Sequence, residues 1–199
     1  FAEEHSNINT ETAELVQFQM AQVDRLTSLV RTLLEMSNLQ SVSRSDEIEL
    51  APLIDEILTD LTTLAEQKNI TLHQNCEDVH MIGSDTLIYR LLFNLIENAI
   101  KYNHSGGSVT VSMQQENQQV LLHIADTGCG IPEEYRESIF QPFFRVDKSR
   151  SRQMGGVGLG LALVREIAVL HGGSVCVESS SKDGTTFDVK LPLNGEKTE

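Results

Sequence analysis

The 199-residue chain has no apolar stretch approaching the roughly 18 residues of a membrane span, and it shows no signal peptide. Its cysteines, Cys76, Cys129 and Cys176, are widely scattered and form no CxxC pair. That gives no support for a structural zinc or a disulfide framework and fits a reducing cytosol. Positive charge is scarce: 15 Lys and Arg face 29 Asp and Glu, for a formal net charge of −14. Nucleic acid and anionic membrane surfaces are therefore disfavoured as partners. Residues 10–40 lack both Gly and Pro. The chain starts at Phe1 rather than Met and is expected to be a piece of something longer.

The Gly- and Pro-free stretch reads as one long helix. Val16, Val23 and Val30 recur every seven residues, Leu26 and Leu33 interleave with them, and Leu15, Leu29, Leu34 and Met36 widen the seam. About thirty residues of helix would overhang a small domain, so a helical bundle with other segments or subunits is expected. A linker follows, at 43–48. Amphipathic periodicity predicts helices over 51–67, 85–102 and 160–171. Short strands are expected at "NITLHQN" and "HMIG", and hairpins over 108–128 and around "KDG" at 182–184. The pattern is α+β, a two-layer sandwich of mostly antiparallel strands with three main helices, preceded by the long helix.

The stretch "MGGVGLGLALV", 154–164, carries glycines before an apolar run, but no strand precedes it; "RVDKSRSRQ" is polar and basic. A Rossmann loop needs that strand. Phosphate binding at a glycine-rich helix N-terminus survives, because bare backbone N–H groups and the helix dipole favour anions. Arg145, Lys148, Arg150 and Arg152 lie just before the glycines. They read either as a solvated loop or as a mobile lid that carries positive charge to an anionic ligand.

Arg90, Asn94, Asn98 and Lys101 follow at helical spacing and form one polar stripe. An Asn oxygen can hold Mg²⁺ without repelling phosphates, and Lys101 would supply a point charge. In "VLLHIADTGCGIP", Val120, Leu122, Ile124 and Asp126 alternate onto one face. Asp126 either caps the turn that follows or accepts a hydrogen bond from a ligand's amino group. Gly128 and Gly130 would then let a flat ring approach the backbone.

"NLIENAIKY", "DTGCGIP", "IFQPFFRVD" and "GGVGLGL", in this order, resemble the N, G1, F and G2 boxes of bacterial sensor histidine kinases. Their GHKL-type ATP-binding domain belongs to the group that includes DNA gyrase, the Hsp90 chaperones and the MutL repair proteins. The resemblance implies a catalytic ATP-binding domain over 46–194 with a tail at 195–199. Residues 1–42 would be the second helix of the dimerisation hairpin. It implies that Asp126 binds the adenine amino group and that Asn98, helped by Asn94, holds Mg²⁺. Lys101 would touch phosphate, and Tyr102 would pack near the base or sugar. Gly156, Gly158, Leu159 and Gly160 would cradle the triphosphate, with Arg145 or Lys148 reaching the γ-phosphate. Gly128, Gly130, Ile131, Phe140, Val157 and Thr186 complete the implied nucleotide-binding set. The implied cofactors are ATP and Mg²⁺. The implied partners are a second copy, through the hairpin, and a response regulator. The domain would be cytoplasmic, and the whole protein would be anchored in the cell membrane upstream.

Two absences qualify the resemblance. Relatives that hydrolyse ATP carry a Glu four residues before the Mg²⁺-binding Asn. Here Asn94 stands there, and it cannot act as a general base. The family's phospho-acceptor is a His followed by Glu or Asp, and none of the six histidines fits. His73, His80, His104, His123 and His171 are expected as strand, loop and cap residues. The alternatives are a serine kinase of the same fold, which the heptad helix disfavours, and a nucleotide-binding scaffold without activity, which the intact boxes disfavour.

Overall fold

A computed structural model of the chain describes residues 2–146 and 157–194, apart from the side chains of residues 2–11, 14, 24, 25, 28 and 35. Helix α1 spans Ala2–Asn38 and ends in a 3-10 turn, Leu39–Ser41. Strand β1 (Asp46–Glu49) leads into α2 (Leu50–Gln67). Strands β2 (Thr71–Cys76) and β3 (His80–Gly83) precede α3 (Asp85–Lys101). Strands β4 (Ser108–Glu116) and β5 (Gln119–Asp126) follow. After two 3-10 turns come α4 (Gly160–Leu170), β6 (Ser174–Ser181) and β7 (Gly184–Pro192).

Five strands form one sheet in the order β2-β4-β5-β7-β6, in which only β2 and β4 run parallel. The tight β4–β5 turn uses Asn117 and Gln118, both at positive φ, the backbone that matches strand twist in a two-residue hairpin. Alternation along β4 and β5 puts Val109, Val111, Met113, Val120, Leu122 and Ile124 inside. Helices α2, α3 and α4 cover that face with Ile54, Ile57, Leu91, Leu95, Ile96, Val164 and Ile167. The result is the two-layer sandwich expected from the sequence.

The end of the expected linker is itself a strand. β1 pairs antiparallel with β3, Ile48 opposite Met81, and both side chains are buried. A four-residue strand with one inward side chain is too short for a periodic signal.

His171 at the end of α4 locks this small sheet to the helix layer. Its Nδ1 donates to the Ile167 carbonyl at 2.8 Å, and its Nε2 accepts from the Ser84 N–H at 3.1 Å. Only the neutral ring can do both. A Cβ at Gly83 would sit 3.0 Å from the imidazole, which fits the glycine there. Burial, aided by the charge of Arg44, pushes the His171 pKa below its usual value of 6.5. The unfolded chain therefore binds a proton that the folded chain refuses, and stability rises with pH across that interval. Unfolding free energy should be complete above about pH 6.5 and fall with acidification, by at most about 1.4 kcal/mol per pH unit for one proton. Urea melts at several pH values check this. His171→Gln should flatten the slope, and an unchanged slope would contradict the assignment.

The seam on α1 is exposed. Leu15, Val16, Val23, Leu26, Val30 and Leu33 are all open to solvent in the single chain, whereas Leu39 is anchored in the core. No described helix is long and apolar enough to cross a membrane.

Candidate functional site

A cleft of about 430 Å³ opens between α3, the end of β5 and the start of α4. A larger groove of about 680 Å³ runs between α1 and the start of α3. Its described lining residues are chiefly Leu26, Val30, Leu34 and Leu87 and include no carboxylate, and the candidate site is the smaller cleft.

Helix α3 presents Asn94, Asn98 and Lys101 to the cleft, because Leu91, Leu95 and Ala99 are taken by the core. The Asn94 amide donates to the Arg90 carbonyl at 2.7 Å, which leaves its oxygen near Gly160, the first residue of α4. The Asn98 carboxamide makes no hydrogen bond among the described residues and faces open space. Two amide oxygens one turn apart form a neutral, hard donor pair that fits a small oxygen-seeking dication.

Lys101 is not free. Its ammonium lies 2.8 Å from Glu97, one turn back and equally half-buried. The spacing i,i+4 makes that pair on any helix face.

On β5, Asp126 points inward at the cleft floor, where Gly128 N–H donates to its carboxylate at 2.7 Å and Thr185 N–H donates as well. Burial still pushes its pKa above the ordinary carboxylate value, against both donors. Asp126 caps its own turn and also keeps an edge on the cleft. Tyr102 is 40% exposed at the rim. Burial raises its phenol pKa, and the charge of nearby Arg145 opposes the rise.

Helix α4 begins without a side-chain cap and with no acidic residue in its first turn. Its leading N–H groups are therefore available to an anion. Gly158, at φ +81°, is held against the 143–144 backbone, and its carbonyl accepts from Phe143 N–H at 2.8 Å. That packing brings Arg145 to the cleft, where one guanidinium nitrogen, Nη2, is buried with no partner among the described residues. A buried guanidinium N–H needs an acceptor, and an incoming anion would supply one.

The structure thus brings Asn94, Asn98, Lys101, Tyr102, Asp126 and Arg145 to one cleft, together with Gly130, Ile131, Val157, Gly158, Leu159 and Gly160. Three expected residues stand off the wall. Gly128 lies beneath the turn, where a Cβ would meet the Tyr102 carbonyl. Phe140 turns into the core edge-on to Phe187, while Ile139 and Phe144 face the cleft. Thr186 points to the other side of the sheet, because alternation along β7 puts Thr185 and Phe187 on the inner face. Lys148 and Gly156 lie outside the described residues, as do Arg150 and Arg152.

Residues the sequence did not flag include Ile139 and Phe144, Thr185, which the β7 alternation could have found, and Thr32. The latter reaches the cleft from α1, a tertiary approach that no local pattern announces.

A family model described as "Histidine kinase-, DNA gyrase B-, and HSP90-like ATPase" matches residues 83–195. The sensor histidine kinase RppB of Synechocystis sp. is 36% identical over 175 residues, 85% of this chain and 38% of that protein. The curated relatives are longer, and the chain spans between 30% and 46% of the length of several that it matches. Among solved structures, the catalytic domain of histidine kinase ThkA is 28% identical with a TM-score of 0.68. The alignment covers 76% of this chain and 97% of that one. A second structure, ThkA in complex with the response regulator protein TrrA, is 27% identical with a TM-score of 0.71. It covers 88% of this chain and 49% of that one.

Proposed function

Because the chain belongs to the histidine kinase-, DNA gyrase B- and HSP90-like ATPase family, we propose that it is the catalytic portion of a two-component sensor histidine kinase. It binds Mg-ATP in the cleft and transfers the γ-phosphate to a histidine on a dimerisation hairpin, for relay to an aspartate of a response regulator. ThkA has been solved with such a regulator, which supports that class of partner. The exposed α1 seam is the surface that the rest of a hairpin, from this chain and from a second copy, would cover. The whole protein would be membrane-anchored upstream, with this portion in the cytoplasm.

Asp126 accepts from the adenine amino group, Tyr102 flanks the base, and the uncapped start of α4 with Arg145 takes the phosphates. Asn98 and Asn94 would hold Mg²⁺, which when bound neutralises phosphate charge. The residues act by positioning, since phosphoryl transfer asks for little covalent chemistry from the protein.

One observation carries transfer over hydrolysis. Apart from Asp126, Glu97 is the carboxylate among the described lining residues, and it is spent on Lys101. Asn94 supplies no base, so nothing at the metal-side wall activates water.

The test is to incubate the chain with γ-labelled Mg-ATP, alone and with a separate hairpin that carries a His-Glu acceptor. The chain alone should gain no acid-labile label, and the hairpin should gain it. Transfer to serine would favour the serine kinase reading, and ATP binding without transfer would favour the scaffold.

A further inference from the structure

The sheet face turned away from the helices carries a cluster that the nucleotide chemistry does not use. His123 on β5 and Asp188 on β7 are cross-strand partners, with Nδ1 2.7 Å from Oδ1. Glu178 on β6 brings a carboxylate oxygen to 3.9 Å from the same Nδ1. One ligand atom from each of the three residues lies within 4.8 Å of the others. Glu178 sits at an irregularity in β6. The register passes from Val177 opposite Phe187 to Ser179 opposite Thr186, which leaves Glu178 without a partner across the ladder. Bulges of this kind re-aim a side chain and often lie beside sites.

We propose that His123, Asp188 and Glu178 form a three-ligand site for a divalent transition cation of the zinc type, on the outer face of the sheet.

The donor chemistry selects the ion class. One imidazole nitrogen with two carboxylate oxygens suits zinc and its neighbours, whereas Mg²⁺ prefers an all-oxygen octahedron. Bond lengths of about 2.0–2.2 Å in a tetrahedron separate ligand atoms by about 3.3 Å. The present 2.7 Å contact therefore holds a proton, not a metal. It opens by a small rotation while the 3.9 Å contact closes by a similar one. Binding displaces the Nδ1 proton to water, and the imidazole gives its Nδ1 lone pair to the ion while Nε2 carries the ring's single proton. With a neutral ring the two carboxylates carry two negative charges, which a dication balances. Cys176, opposite Asp188 in the ladder, and Lys190 are the other ionisable groups beside the cluster. The bound ion would tie together three strands, two of which also carry Asp126 and Thr185 on their inner face.

The metal-stripped chain is titrated calorimetrically with ZnCl2 in excess MgCl2. One equivalent should bind, with affinity falling at least about tenfold in His123→Gln and in Asp188→Asn. His80→Gln serves as the control, since exposed His80 lies 3.7 Å from Asp78 and offers the ordinary weak alternative. It should bind as the parent does. Equal affinity in parent and cluster variants, or no binding in the parent, would leave only a surface ion pair and overturn the site. Should a variant fail to fold, imidazole nitrogen resonances of the parent decide. Zinc should move the His123 Nδ1 signal and leave that of His80 in place, and an unmoved His123 sinks the proposal.

Discussion

Replacing Asn98 with Ala should remove the magnesium dependence of ATP binding without loosening the fold. The side chain is half-buried on α3, yet its carboxamide bonds to nothing among the described residues, so truncation strands no described donor or acceptor. The stability change should stay within about 0.5–1 kcal/mol, and Ala is the better helix former. Binding is another matter. Mg-ATP brings a dication whose charge is offset by phosphate oxygens, and under the proposed reading the protein's share of its coordination would be one or two neutral amide oxygens. Losing one should cost at least about tenfold in affinity measured with Mg²⁺, and nothing measured in excess chelator. Transfer to a hairpin in trans should fall further, by about 100-fold or more, because the metal organises the transferring phosphoryl group. Calorimetry separates these outcomes from misfolding. An Asn98→Ala chain that binds Mg-ATP as the parent does would remove Asn98 from the metal site.

Gly130→Ala is expected to destabilise the fold strongly. Gly130 holds φ +71°, and a Cβ there would lie 1.7 Å from the backbone oxygen of Ser181 and 2.6 Å from its carbonyl carbon. No flexible side-chain tip is in the way, so two stretches of backbone would have to part. What they would pull apart is a dense set of bonds. Ile131 N–H donates to the Ser180 hydroxyl at 2.7 Å, Arg136 reaches the Ser180 carbonyl at 2.6 Å, and the Ser180 and Thr185 hydroxyls lie 2.9 Å apart. Left-handed backbone costs Ala about 1 kcal/mol, and each displaced hydrogen bond adds about 1. The total should be on the order of 3–5 kcal/mol. Gly106→Ala supplies the comparison. It too has positive φ, +83°, but the nearest atom to its Cβ is an amide nitrogen at 3.9 Å. That variant should lose only about 1 kcal/mol. Urea midpoints of both variants decide, and similar losses would show that strain, not the contact with Ser181, sets the effect.

The helices were legible in the sequence because each has one apolar stripe and a clear end. For α3, the positions left over by Leu91, Leu95 and Ala99 are the polar stripe. Asp126 was legible because β5 alternates cleanly up to it. The misplacements have separate causes. Thr186 was set one residue off, and a period of two turns one residue into the opposite face. Phe140 and Phe144 both lie in an aromatic loop without periodicity, so no rule says which enters the core. Lys101 was read for its charge without its i,i+4 neighbour. Strand β1 and the approach of Thr32 depend on segments far away in sequence. The outer cluster joins three strands, and only the register reveals it.

Sheet order also sets when the cleft can come into being as the chain folds. β5 meets β4 through a two-residue turn, so that hairpin closes early and locally. Its other neighbour, β7, returns only after the whole of α4 and β6, with Asp126 opposite Thr185. Closing that long loop costs about 3 kcal/mol more entropy than closing the hairpin, and non-local pairing of this kind slows folding. The cleft floor is the Asp126–Thr185 seam, and it should be among the last parts of the domain to assemble. Nucleotide would then act on the finished fold: it would slow the opening of the native state and leave the rate at which the chain first folds unchanged.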